Sequence, residues 1–183
     1  MDLRRWYLVA VGLFCGGLIL GLLLPGGTAD EIKQTFQNIA GDASSSSGLA
    51  LFFLLLTNNA MAVSVSFFFS PLFLVVPVAA IVMNGAMITL VSRLALENHS
   101  LAFLAAGILP HGIIEIPAFL LAQAAALNFG FALMRALFRN DRRAEVGPAL
   151  RTSLRWLGVA LLLLIPAAFI EAFITPLFIS IFS

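Results

Sequence analysis

Charged side chains are scarce in this chain of 183 residues, since aspartate, glutamate, lysine and arginine together make up only 10% of it. Soluble domains contain about 25% charged residues. Hydrophobic residues account for 61% of the chain, and the mean hydropathy is +1.06. The composition therefore excludes an ordinary soluble domain. It predicts an all-α, polytopic transmembrane helix bundle, with one transmembrane domain over residues 1–183.

Cysteine and histidine are nearly absent, which excludes several kinds of site. The single Cys15 lies in an apolar run and cannot form an internal disulfide, so it is expected to pack as a small residue. Of the two histidines, His99 falls in a polar loop and is expected to be solvated. The helical zinc motif with two histidines on one face is therefore missing. The sequence also has no nucleotide-binding loop, nucleophile elbow or cysteine cluster, and no nucleic-acid partner is expected.

Apolar runs of about 20 residues indicate membrane spans. The first run is longer than a signal-peptide core of about 7–15 residues and no A-x-A site follows it, so a retained helix is expected. The fourth run is too long for one straight crossing, because a helix of ~34 residues extends ~51 Å. A break or re-entrant piece is predicted there, at residues 110–112. The five predicted spans are approximately 6–24, 49–69, 72–92, 101–134 and 156–182.

Arginine placement predicts the orientation. In a five-span protein Arg4, Arg5 and the six arginines of residues 135–155 lie on one side, which is eight of the ten basic residues, whereas Lys33 and Arg93 lie opposite. Basic residues favour the cytoplasmic side. The protein is therefore expected in the cell membrane with its N-terminus cytoplasmic and its C-terminus outside. Residues 28–40 are expected to form a short surface helix.

The stretch Pro110-His111-Gly112-Ile113-Ile114-Glu115-Ile116-Pro117 places two ionisable side chains and two prolines inside an apolar run. A charge at bilayer depth costs about 3 kcal/mol on insertion scales, so such residues usually face protein or water and have a function. His111 and Glu115 are four residues apart and share one helix face. Pro117 leaves a backbone carbonyl free, and Gly112 permits a close neighbour. The stretch predicts a polar, irregular site within the bundle.

Polar residues of other spans are expected to meet this stretch. The second span contains two adjacent asparagines that point to different faces, and the third contains one. In the last span Pro166 and Pro176 flank a second carboxyl group and are expected to distort its helix. The predicted functional polar core consists of His111, Glu115, Glu171, Asn58, Asn59 and Asn84.

Small residues recur at helical spacing in two spans, which is typical of close helix packing in lipid. A homodimer or another membrane protein partner is therefore expected, through a glycine or an alanine face. The glycine face contains Gly12, Gly16, Gly17 and Gly21, and the alanine face contains Ala118, Ala122, Ala126 and Gly130.

The polar landmarks, taken in order, resemble the stage II sporulation protein M family. They are Asn58-Asn59, Asn84-Gly85, the stretch of residues 110–117, and the ending Ile170-Glu171-Ala172-Phe173-Ile174-Thr175-Pro176. The likeness extends over roughly residues 50–180. In sporulating bacteria the family member is a membrane component of a complex with peptidoglycan-degrading partners. The resemblance therefore implies a membrane component of a larger assembly.

Three functions are compatible with this core. In the first, a non-enzymatic scaffold, the polar residues specify helix packing through hydrogen bonds and no cofactor is needed. In the second, an ion- or proton-coupled transporter or channel, they form the pathway, although the spans before and after Arg93 show no inverted repeat. In the third, an intramembrane metal-dependent hydrolase, His111, Glu115 and Glu171 bind a divalent metal such as zinc. The scaffold is the preferred interpretation.

Overall fold

The computed structural model describes residues 3–25, 47–98 and 100–182, without the side chains of Asn98, His111 and Phe182. The expected surface helix of residues 28–40 and the loop residue His99 lie outside the described residues. Within the described ranges the chain is helical apart from short turns, and no strand occurs. A 3₁₀ turn at Asn140–Glu145 precedes the fifth helix, and a π-helical segment at Ile170–Ile174 joins the fifth helix to the sixth. The helices are α1 (Leu3–Leu23), α2 (Gly48–Phe68), α3 (Val75–Asn98), α4 (Leu101–Phe138), α5 (Val146–Phe169) and α6 (Thr175–Phe182).

Five helical regions of the described chain are long and apolar enough to cross a membrane, which confirms the predicted all-α polytopic bundle. They are Leu3–Leu23, Gly48–Phe68, Val75–Glu97, Gly112–Phe138 and the continuous Asn140–Ile181 region. Many large apolar side chains on their outer faces are exposed, such as Leu23, Phe68 and Ile113. In water these side chains would oppose folding, whereas in a bilayer they face lipid.

Helix α4 is the centre of the bundle. In its most apolar stretch 61% of the residues are buried inside the molecule, against 6% in that of α2. Its small face lies inside the molecule. Ala118, Ala122 and Ala126 pack in one core cluster with side chains of α2 and α5, such as Phe67 and Leu164. The alanine face is therefore occupied within one chain and is not open to a second copy.

Helices α1 and α3 form a second close pair. A Cβ atom added at Gly17 would overlap the backbone of Val82, and one added at Gly21 would overlap that of Ala86. Four residues further along α1, the contact lies four residues further along α3. The two helices therefore run parallel. Spans one and three of a five-span protein must cross in the same direction, and this pairing agrees with that order.

Only part of the glycine face is used inside the chain. Gly17 and Gly21 are buried against α3, whereas a Cβ atom at Gly12 or Gly16 would meet no atom of the described residues within 4 Å. A homodimer stays a prediction, and of the two faces considered for it only Gly12 and Gly16 remain open.

The predicted break at residues 110–112 is wrong as a description of the backbone. Helix α4 continues through Pro110 and Pro117 for 38 residues. Each proline removes one backbone donor, but such losses are tolerated in membrane helices.

Gly112 also differs from expectation. An added Cβ there would make ordinary contacts, at 3.5 and 3.7 Å, with Ile108 and Ile116 of the same helix, and no backbone of another helix lies among them.

The turn between α2 and α3 is conformationally strained. Phe73 and Leu74 have φ angles of 49° and 62°, a left-handed backbone that costs an L-residue roughly 1–2 kcal/mol. The preceding Ser70 is fully buried, and its backbone lies so close to Gly130 of α4 that no Cβ would fit there. The third helix consequently begins at Val75 and not at residue 72 as expected.

Candidate functional site

Glu115 and Glu171 line the same pocket, which has a volume of about 330 Å³. We call it the carboxylate pocket. Asn84 of α3 also lines it, and the rest of the lining is largely apolar, with Phe14, Ile116 and Phe119 among its residues. The pocket therefore combines residues of α1, α3, α4 and the π-helical segment.

Glu115 is held by helix α2. The Asn59 Nδ2 atom donates a hydrogen bond to Glu115 Oε1 over 3.1 Å. One α-helical turn advances about 3.6 residues, so the adjacent Asn58 points elsewhere. Asn58 is exposed and does not line the pocket. The structure thus brings Asn59 to the predicted core but not Asn58.

Glu171 lies on the π-helical segment, in line with the helix distortion expected between Pro166 and Pro176. The backbone N–H of Thr175 donates to the carbonyl oxygen of Ile170, five residues earlier. The next residue, Pro176, has no N–H to donate to the carbonyl oxygen of Ala172, so this turn also lacks one α-helical hydrogen bond. Segments of this kind are frequent at functional sites. Here the segment presents Glu171 to the carboxylate pocket.

Asn84 reaches the pocket but is engaged by its own helix. Its Nδ2 atom donates to the carbonyl oxygen of Ala80 over 3.2 Å. The Asn84 amide oxygen, Oδ1, is then the atom through which this residue can bind a ligand in the pocket. The residue is exposed within the single chain, so it lies at the mouth of the pocket and not in its depth.

The proposed metal ligands are described only in part. The His111 side chain lies outside the described residues, so its meeting with Glu115 and Glu171 stays a prediction. Among the side chains that the structure does describe, no group of three or more histidine, cysteine, aspartate or glutamate residues could hold a metal ion. Glu115, Glu171 and Asn84 supply oxygen atoms, which suit a hard cation better than zinc.

Gln123, Asn128 and Ser153 are buried polar residues that did not emerge as candidates from the sequence. Ser66 Oγ lies 2.6 Å from Gln123 Oε1 and donates to it, and Asn128 Nδ2 donates to Ser153 Oγ over 3.0 Å. Gln123, Asn128 and Ser153 are at most 2% exposed. An amide in an apolar run is the signal that would have indicated Gln123 and Asn128.

The polar contacts also define how α2 and α4 are arranged. Asn59 pairs with Glu115, and seven residues later Ser66 pairs with Gln123, eight residues after Glu115. Both helices therefore advance in the same direction. Spans two and four of a five-span protein must do so, and the polar contacts fix the register of this pair.

Comparisons with known proteins agree with this architecture. The family model described as Stage II sporulation protein M matches residues 10–176. An uncharacterized protein of Methanocaldococcus jannaschii is 30% identical over 97 residues, which cover 52% of this chain and 54% of that protein. The chain thus matches about half the length of that relative. No solved structure matches the present chain. With the family model covering most of the five-span bundle, the chain belongs to the stage II sporulation protein M family.

Proposed function

We propose that the protein is a non-enzymatic component of a larger membrane assembly, and that its buried polar residues serve to fix the helix arrangement. The observation that supports this most is the set of interhelical hydrogen bonds that α4 forms: it accepts from Asn59 and Ser66 of α2 and donates to Ser153 of α5. In lipid such bonds stabilise packing by ~0.6 kcal/mol each on average. They hold one rigid surface for partners, in keeping with the role that the family resemblance implies.

An isosteric substitution tests the packing role of Glu115. Glu115→Gln keeps an oxygen that accepts from Asn59 but loses the carboxylate, whereas Glu115→Leu loses both. If the residue acts in packing, the Glu115→Gln protein keeps the thermal stability of the wild type and still forms the native complex. The Glu115→Leu protein is less stable and no longer forms that complex. Stability in detergent and complex size on native gels of solubilised host membranes measure this.

Assembly with partners is tested on the same gels. We expect the wild-type chain to migrate well above the 19.6 kDa mass of one copy with its detergent, in a complex whose other proteins are identified by mass spectrometry. Migration as a single copy, in membranes from the native host and in mild detergent, would refute the assembly role.

A second candidate function is an ion- or proton-coupled transporter or channel, and the carboxylate pocket favours it. Packing requires only one partner for Asn59, yet Glu115 and Glu171 from two elements line one pocket. Two neighbouring carboxyl groups can share a proton or bind a cation. Intramembrane carboxyl groups also mark ion pathways.

The same variants separate the two functions. A pathway needs the ionisable carboxyl group, so Glu115→Gln and Glu171→Gln should each abolish cation or proton flux into proteoliposomes while the protein stays folded. Flux that is absent from the wild-type protein, or unchanged in both variants, would exclude this candidate.

Metal content of the purified protein, measured beside Glu115→Gln, tests the hydrolase: stoichiometric zinc that the variant lacks would favour it.

A further inference from the structure

A second polar pocket, distinct from the carboxylate pocket, lies where α4 ends and α5 begins. Its volume is about 500 Å³, and we call it the arginine pocket. Arg135 of α4 and Arg142 of the 3₁₀ turn line it, together with Glu145, Thr152 of α5 and the buried Asn128. An adjoining recess, which shares Thr152, adds Arg151 and Arg155.

Charge in the arginine pocket is positive on balance. Glu145 is the one carboxylate among the described lining residues, and it pairs with both arginines, at 2.6 Å from Arg142 Nη1 and 3.7 Å from Arg135 Nη1. Asp141, outside the lining, also pairs with Arg142 Nε over 3.4 Å. The positive balance of the region therefore comes from Arg151 and Arg155 of the adjoining recess, and the start of α5 adds the positive end of its helix dipole.

The floor of the arginine pocket holds an unsatisfied acceptor. Asn128 is 2% exposed, and its Nδ2 atom donates to Ser153 Oγ, but its Oδ1 atom has no hydrogen-bond partner among the residues that the structure describes. Buried polar atoms are rarely left in this state. A ligand with a hydroxyl group would satisfy it, while the guanidinium groups bind an anion above.

We infer that the arginine pocket binds the phosphate ester of a small polyol, such as the glycerol phosphate headgroup of an anionic phospholipid. The arginines and the Thr152 hydroxyl donate to the phosphate oxygens, and a hydroxyl of the polyol donates to Asn128 Oδ1. Two exposed apolar side chains offer a surface for acyl chains: Phe138, which shares a recess with Arg135, and Trp156, which follows Thr152 by about one helical turn. Basic pockets between transmembrane helices are typical sites for such headgroups.

Binding to the purified full-length protein in neutral detergent tests the inference, with short-chain phosphatidylglycerol, short-chain phosphatidylcholine and glycerol 3-phosphate as probes. We expect saturable binding of phosphatidylglycerol and little of phosphatidylcholine. Arg142→Gln should weaken it about tenfold, since a charge-assisted hydrogen bond is lost. The matched control Arg143→Gln removes the same charge from an exposed residue outside the pocket, and should change binding by less than about twofold.

Two further variants separate binding from folding. Glu145→Gln removes the competing carboxylate and should strengthen binding several-fold, a gain that damage to the fold cannot produce. Thr152→Val removes one donor at nearly constant shape and should weaken binding. Glycerol 3-phosphate that binds as tightly as the lipid would assign the pocket to a soluble ester, whereas much weaker binding assigns it to the headgroup.

Several results would overturn the inference. Equal binding of phosphatidylcholine would mean that the headgroup charge is not recognised. An equal loss in Arg142→Gln and Arg143→Gln would mean that the basic segment acts only through its total charge, as an orientation signal. Binding that Glu145→Gln and Thr152→Val leave unchanged would place the ligand elsewhere.

Discussion

At the scale of single residues, the absence of a side chain decides how closely two helices approach. Gly17 and Gly16 are neighbours on α1, yet an added Cβ atom would overlap the backbone of Val82 at the first position and meet nothing within 4 Å at the second. The sequence shows two equivalent glycines, whereas the fold makes only Gly17 essential for the contact with α3.

The pair of glycines gives a matched test. Gly17→Ala should lower the free energy of unfolding by about 1–3 kcal/mol, since overpacking forces the two backbones apart. Gly16→Ala should be neutral or stabilising by about 0.5–1 kcal/mol, because alanine favours the helix. Unfolding of both variants in detergent, followed by circular dichroism, measures the difference. Equal effects would contradict the close approach of α1 and α3.

At the scale of helices, Arg93 of α3 fastens the end of α1. Its Nη1 atom donates to the carbonyl oxygens of Gly21 at 3.2 Å and Leu24 at 3.1 Å, with a longer contact to Leu22. These are carbonyl groups of a helix end that lack partners within the helix, and a cation is favoured there. This contact explains why one arginine lies opposite the basic cluster: its charge is bound by the end of α1.

Removal of this cap should loosen α1 locally. Arg93→Gln should cost about 1.5–3 kcal/mol, the usual value of a hydrogen bond from a charged group, and should speed amide hydrogen exchange at residues 20–24. The exposed Arg139→Gln is the control and should leave exchange in α1 unchanged. If Arg93→Gln leaves those amides equally protected, the cap does not hold α1.

At the scale of the whole molecule, the five apolar helical regions and the parallel pairs α1–α3 and α2–α4 agree on alternating crossings. An odd number of crossings places the two ends of the bundle on opposite sides. The basic segment of residues 135–155 then lies on the side of the N-terminus, and the positive-inside rule predicts that this side is cytoplasmic.

Reporter fusions and labelling test this topology. A reporter that is active only outside the membrane should be active at the C-terminus and inactive when inserted after Asn140. A single cysteine introduced at Lys33, in a Cys15→Ser background, should react with an impermeant thiol reagent in intact cells. If the reporter after Asn140 is active, or if a cysteine introduced at Arg143 reacts with the reagent, the predicted orientation is wrong.

The sequence by itself determined the membrane class, the number of membrane-spanning regions and the family, because hydropathy and the order of the polar landmarks can be read directly along the chain. It also indicated Glu115 and Glu171, since a carboxyl group in an apolar run is conspicuous. It did not separate Asn59 from Asn58, and it overlooked Gln123 and Asn128.

Only the tertiary structure decided which polar groups meet. The rotation of α2 about its axis directs Asn59 to Glu115 and leaves Asn58 exposed, and this rotation follows from packing Phe67 against the alanines of α4. Contacts between residues more than fifty positions apart create the carboxylate pocket and the Ser66–Gln123 contact. Such contacts depend on the angle and register of whole helices, which side-chain volumes set cooperatively and which local hydropathy does not encode.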